Sequence, residues 1–377
     1  MTTTRERTDP ERTLDRPAIV KNAASSHFSV VDLAAREVVG TIGEGRYPHT
    51  ARFHPDGRLA YLLYVSSAHL EVVDLDGLET VARIEDLGTA PVGSAMTPDG
   101  DRLFVGTAAG LPDSGTPGLV AFDVGDDGIP RRSGSLELGR CAGMTIGPDG
   151  RLYTGLKEDA AIAVLSPTGD LGIQEQHAVG EKPHDLYPVP GTDLLAINNA
   201  GESYASFVDV RTGTVTNVET GENPHGIAFA DAPDYRRVVF PAREDDRVAV
   251  ADLDAVAAEN EEATEALIDV GTTTGFAATT PDGRYAVVDS YDEEFVTILD
   301  VATLSVASRA HVGGEPLHVV FAPDGTECYV GNMARPSITV LDTEPLLAGR
   351  PDAVERVGWI EGVGEKPSGI FPMEVNS

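Results

Sequence analysis

Three of the nine histidines follow a proline in the same way: His49 in YPHTARF, His184 in KPHDLYP and His225 in NPHGIAF. His318, in EPLHVVF, stands one residue later. Three or four imidazoles brought together suit copper, iron, zinc or nickel better than magnesium or calcium, which prefer oxygen ligands. Such a site with an open position performs redox or Lewis-acid chemistry. The expected cofactor is copper or iron, with His49, His184 and His225 as ligands and His318 as a fourth ligand or a general base. The same placements also suit histidines that hydrogen-bond across a junction between neighbouring elements, and both readings stand at this level.

A second set of residues lies near the ends of apolar runs: Asn22, Tyr64, Thr107, Asn198, Ser290 and Asn332, with Lys157, Asn199, Arg243 and Asp289 beside them. Lys157 and Arg243 can pair with a carboxylate or phosphate, with Asn199 and Asp289 as further substrate contacts. The Asn and Ser residues fit turn-shaping better, since their short polar side chains bond to nearby backbone. Cys141 replaces the landmark proline of one unit. A thiolate there would favour copper, although a lone cysteine is more often a small buried apolar residue. His27, His54, His69, His177 and His311 share no register and read as surface or interunit residues.

The elements that must position these groups come from a repeat. Pro-Asp-Gly recurs at 55–57, 98–100, 148–150, 281–283 and 323–325. Seven residues before each proline stands Pro48, Pro91, Cys141, Thr274 or Pro316, and Pro183, Pro224 and Pro367 complete the series. The spacings of 43, 50, 42, 41, 50, 42 and 51 residues fit a four-stranded propeller blade and exceed most helical repeats. Within a unit a short run such as HTARFH precedes the turn, and LAYLLYV and HLEVVDL follow, then the weaker TVARIE. The Asp closing the third run recurs, as Asp32, Asp74, Asp123, Asp209, Asp252, Asp300 and Asp342, with Ser166 in the remaining unit, and caps the next turn. The two spacings of 50 residues contain a loop, LPDSGTPG (111–118), and a solvated acidic helical insertion, AAENEEATEAL (257–267).

The chain ends complete the pattern. Residues 18–42 supply the last three strands of a unit, and 366–371, KPSGIF, supply the missing first strand. Pairing them closes a ring of seven whole units and one composite unit. The prediction is an all-β, eight-bladed propeller, with seven blades as the alternative, in which the innermost strands bring the histidines to one channel mouth. Residues 17–377 form that domain, and 1–16 read as a disordered tail.

CYVGNMARPSITVLDTE (328–344) and AIVKNAASSHFSVVDLAAREVVGTI (18–42) are similar to the YVTN repeat. From about residue 17 the chain resembles the YVTN-repeat, YncE-like propellers, and more distantly the cytochrome d1 type. One blade, 222–250, resembles the lactonases related to 6-phosphogluconolactonase. The resemblance implies the fold and leaves the chemistry open.

Composition narrows the partners. Lys plus Arg total 28 against 61 Asp plus Glu, a net charge of −33. Such a surface repels nucleic acid and anionic lipid, so neither is an expected partner. Only four cations are lysine, a balance suited to a salt-rich cytoplasm. The start is polar, no long apolar run follows, and two cysteines cannot form a disulfide framework, which makes the expected location cytoplasmic. Phosphate-loop, nucleophile-elbow, zincin and CxxCH motifs are absent. The expected function is a metal-dependent small-molecule enzyme, an oxidoreductase ahead of a lyase or a lactone hydrolase. The alternative is a non-catalytic propeller scaffold for a protein partner.

Overall fold

Each repeat folds into a four-stranded antiparallel meander because its turn chemistry is local. The Pro-Asp-Gly glycines adopt positive φ, 75° at Gly57 and 71° at Gly283, where a Cβ would be strained. In the first unit the second strand, Leu59–Tyr64, is buried at every position, while the outermost strand, Glu79–Ile84, is largely exposed. Asp74 accepts the backbone N–H groups of Asp76 and Gly77 at 3.0 and 3.2 Å, and Asp32, Asp209 and Asp252 cap their turns in the same way. The expected helix over 257–267 is displaced: the helix Leu253–Ala257 ends where that stretch begins, and residues 264–267 belong to the outermost strand Thr264–Asp269 of the fifth unit.

The computed structural model describes residues 14–373 and arranges them as eight four-stranded sheets. Seven blades run in sequence order. The eighth pairs Pro17–Asn22 with Pro367–Pro372, in a register that sets Ala18 against Pro372 and Val20 against Ile370. The count is eight, and the ring closes as the terminal strands predict. Of the expected tail, residues 1–13 lie outside the described residues; Arg16 is anchored by ion pairs to Asp324 at 2.8 Å and Glu327 at 3.2 Å. Among the described residues no helix is long and apolar enough to cross a membrane.

Apolar clusters fill the gaps between adjacent blades; Phe207 of blade four meets Phe240 of blade five edge-on at 5.9 Å. The innermost strands surround the channel. Their landmark ends and the ends of the second strands share one face, as the pairing of Pro48 with Tyr64 and Pro316 with Asn332 shows. Ladder irregularities recur at that mouth, between Pro48 and Thr50, Cys141 and Met144, Pro183 and Leu186, and Leu317 and Val319. Such bulges twist the backbone and re-aim side chains.

Candidate functional site

The bulge after Pro183 places His184 and the following Asp185 together at the channel mouth. Gly143 of blade three permits this approach, because a Cβ there would stand 2.5 Å from the His184 carbonyl oxygen. His225 arrives from blade five on a left-handed turn: its N–H donates to the Pro241 carbonyl at 2.9 Å, and the Asn198 amide donates to the Gly226 carbonyl at 3.0 Å. The two imidazole rings lie 5.1 Å apart. Donor atoms of His184, Asp185 and His225 fall within 4.8 Å of one another. Nδ1 of His184 lies 3.1 Å from an Asp185 oxygen, and Nδ1 of His225 is buried without a hydrogen-bond partner among the described residues. Burial alone would raise the Asp185 carboxyl; His184, His225 and Lys157 outweigh it and hold the pKa at about 2. Burial lowers His225 to about 4, against the pull of Asp185. At neutral pH the cluster therefore offers an ionised carboxylate beside a neutral imidazole.

His49 and His318 stand outside that cluster. His49, on the blade-one bulge, is lowered to about 4 by burial and by the charges of Lys21 and His184. His318 occupies the bulge of its strand with φ at 68°, which accommodates the extra residue between proline and histidine. Phe276 separates it from His225, with ring centroids 5.0 Å from each, and Phe371 lies on its other side at 6.2 Å. His184, His225, Phe276, His318 and Phe371 thus form an arc of rings over five consecutive blades. Burial also lowers His318 to about 4.

Asp289 is fully buried and not open to a substrate. It accepts backbone N–H groups from Gly275 at 2.7 Å, Phe276 at 2.9 Å and His318 at 2.9 Å, and so braces the arc. Asn199 is also enclosed; its amide donates to the Tyr204 carbonyl at 3.2 Å and the Ser206 hydroxyl at 2.9 Å, which staples its own hairpin. Asn22 and Asn332 do the same. All six residues of the expected second ring are buried, and Asn198 bonds to the neighbouring blade rather than within its own turn. The register equivalent of Asn332 is Asn199, not Asn198, because Pro183 pairs with Asn199. His69 is completely buried and stacks on Tyr64 at 4.6 Å, so it is no surface residue. Burial pushes the Cys141 thiol up to about 12, which leaves a neutral thiol and not the thiolate that copper would favour.

A cavity of about 300 Å³ opens beside the cluster, lined by His49, Arg52, Cys141, Lys157, His184 and Asp185 among others. Arg243 stands on the other side of the mouth, 3.3 Å from where a Gly275 Cβ would lie, with its Nε buried and unpartnered. Sequence reasoning missed Asp185, Arg52, Phe276 and Lys21. Lys21 projects from the closing blade within electrostatic reach of Asp185, His49 and His318, and burial lowers it to about 8.

No family model and no curated protein matches the sequence. Solved structures do match in fold. Dihydro-heme d1 dehydrogenase NirN, in complex with DHE, aligns over 98% of this chain and 77% of its own, with 20% identity and a TM-score of 0.77. Hydrazine synthase of Kuenenia stuttgartiensis aligns over 79% of this chain and 96% of its own, at 20% identity and a TM-score of 0.54. A putative 6-phosphogluconolactonase from Bacteroides fragilis aligns over 97% and 100%, at 15% identity and a TM-score of 0.62. At these identities the likeness establishes the propeller fold and nothing finer.

Proposed function

We propose that this propeller, of the YVTN type, is a small-molecule enzyme whose channel mouth holds a transition metal on His184, Asp185 and His225. The observation that carries the reading is the convergence of those three donors within 4.8 Å. Two imidazoles and one carboxylate with open positions beside them suit iron(II) best, and copper next. The buried Nδ1 of His225, without a hydrogen-bond partner among the described residues, fits a ligand role, since a buried polar atom left unpaired costs about 1–3 kcal/mol. A bound ion there supplies one-electron chemistry and a Lewis-acid position. The chain's own groups do the rest: Asp185 stays ionised, the neutral His225 keeps its lone pair, and Arg243 orients substrate from the far wall. The donor set supports oxidoreductase chemistry ahead of a lyase or lactone-hydrolase reaction. His49 and His318 flank the site as groups that touch substrate rather than as ligands.

Metal analysis of untagged protein by inductively coupled plasma mass spectrometry tests this reading. One equivalent of iron or copper is expected in the wild type, with loss in a His184→Ala/His225→Ala variant that keeps its circular dichroism spectrum. Equal metal in both proteins, or none in either, would sink the metal site.

A further inference from the structure

The cavity beside the cluster inverts the charge of the molecule. Acidic residues outnumber basic ones by 61 to 28 in the chain. The cavity wall carries three permanent cations, Arg52, Arg140 and Lys157, against the single carboxylate of Asp185. Arg140 shares its charge with the exposed Glu158 at 3.6 Å. Neither Arg52 nor Lys157 has a carboxylate oxygen within 4.0 Å among the described residues.

Arg52 is the stronger signal. It projects from the innermost strand of blade one, and its side chain is exposed to the lumen. Nε and one terminal nitrogen donate to the Ser94 carbonyl at 3.1 and 2.8 Å, which fixes the guanidinium plane. The other terminal nitrogen has no partner among the described residues. A lumen-facing guanidinium, held in one orientation by Ser94 and with a free edge, is built to take a planar anion on that edge. All four lysines point the same way. Lys21 lies at the end of a second strand, Lys157 just after one, and Lys182 and Lys366 just before innermost strands, all on the mouth face. Glu158, Asp159 and Glu181 share that face with Lys157 and Lys182, so the excess of cations is confined to the cavity wall.

We infer that the cavity is an oxyanion-binding subsite in which Arg52 forms the floor and Lys157 the wall, and that the substrate of the proposed metal site is a small molecule bearing a carboxylate or phosphate. The inference rests on the functional reading for the word substrate, but the binding site stands without it. About 300 Å³ corresponds to roughly ten water volumes at ~30 Å³ each, room for a compact mono- or dianion. The anionic group occupies the free edge of the Arg52 guanidinium, and the rest of the molecule extends past Lys157 toward Asp185 and His184.

Isothermal titration calorimetry at one fixed salt concentration tests the subsite with succinate, inorganic phosphate and the neutral isostere succinamide. Succinate or phosphate binds, the tighter of the two identifying the anion class, and succinamide binds at least tenfold more weakly. Arg52→Gln and Lys157→Gln each lose at least tenfold in anion affinity, Arg52→Lys recovers part of it, and metal content stays at the wild-type level in all three. The His184→Ala/His225→Ala protein still binds the anion, which separates the subsite from the metal reading. Equal binding of succinate and succinamide, unchanged affinity in both Gln variants, or no heat from any probe would overturn the inference. Melting curves of each variant confirm that a lost signal is not lost structure.

Discussion

Asp289→Asn isolates the brace behind the aromatic arc. Burial raises the Asp289 carboxyl to about 6; three backbone N–H bonds and Arg243 work in the opposite direction and do not cancel it. An unfolded aspartate titrates near 3.9, so the difference in proton affinity between the folded and unfolded states is worth about 3 kcal/mol. Its sign is unfavourable to the charged native state. Between about pH 4 and 6 the folded protein binds the proton more tightly than the unfolded chain, and stability from this group falls as pH rises through that window. The penalty is absent below pH 4 and complete above pH 6. Asparagine removes the titration, but it sets its amide N–H₂ against the His318 N–H, leaving a donor unpaired at a cost of about 1–3 kcal/mol at every pH. The variant therefore melts below wild type at pH 4 and gains about 3 kcal/mol on it by pH 8. With an unfolding entropy of about 2.1 cal/mol/K per residue, that gain is ~4 °C in melting temperature. Melting both proteins by circular dichroism across pH 4–8 cancels every other titrating group in the difference. Parallel profiles, with a gap that does not move with pH, would refute the assignment of a strained, charged carboxylate at this position.

Other perturbations read other parts of the structure. Asn332→Ala removes amide bonds to Ser337 and Thr339; loss of a buried pairing costs ~1–3 kcal/mol, so the melting temperature falls a few degrees while metal content stays constant, and a change in metal without a change in stability contradicts the hairpin role. Gly143→Ala pushes a methyl into the His184 carbonyl; overpacking costs about 1–3 kcal/mol, and the expected result is a lower melting temperature together with reduced metal content by mass spectrometry. Deleting 367–377 leaves blade eight with three strands and an unpaired inner edge; size-exclusion chromatography is expected to show aggregates, and a monomer with wild-type melting would remove closure as a source of stability. With a net charge of −33 the melting temperature rises between 0.1 and 2 M KCl as salt screens self-repulsion, which differential scanning fluorimetry reads directly.

The repeat was legible because its information is local. A Gly at positive φ and an Asp capping its own turn bond only to neighbours, so each unit announces itself in a few residues, and closure follows from which strands the two ends lack. The histidine register was visible for the same reason. What escaped sequence reading depends on departures from that regularity. Successive side chains in an ideal strand face opposite ways, so Asp185 next to His184 gives no sign of sharing its site until the ladder irregularity between Pro183 and Leu186 turns both into the channel. The same kind of bulge moves His318 away from the cluster, and only the three N–H bonds to Asp289 show that its left-handed backbone is built in.

Lys21 shows how a signal can be present and still unread. It sits on a second strand, where side chains belong between blades, and pairs across the sheet with Gly369. In the innermost strand of that blade Ser368 and Gly369 follow the landmark proline, where blades one, four and five carry histidine. Charge scarcity pointed to Lys21: in a chain with four lysines, one placed inside an apolar strand has to be supported by its surroundings, at a desolvation cost that lowers it to about 8. Arg52, inside HTARFH, carries the same mark. In a strongly acidic propeller the informative residues are thus the cations that interrupt strands near the axis, since solvation favours placing them elsewhere and Asp185 offsets part of the desolvation of Lys21.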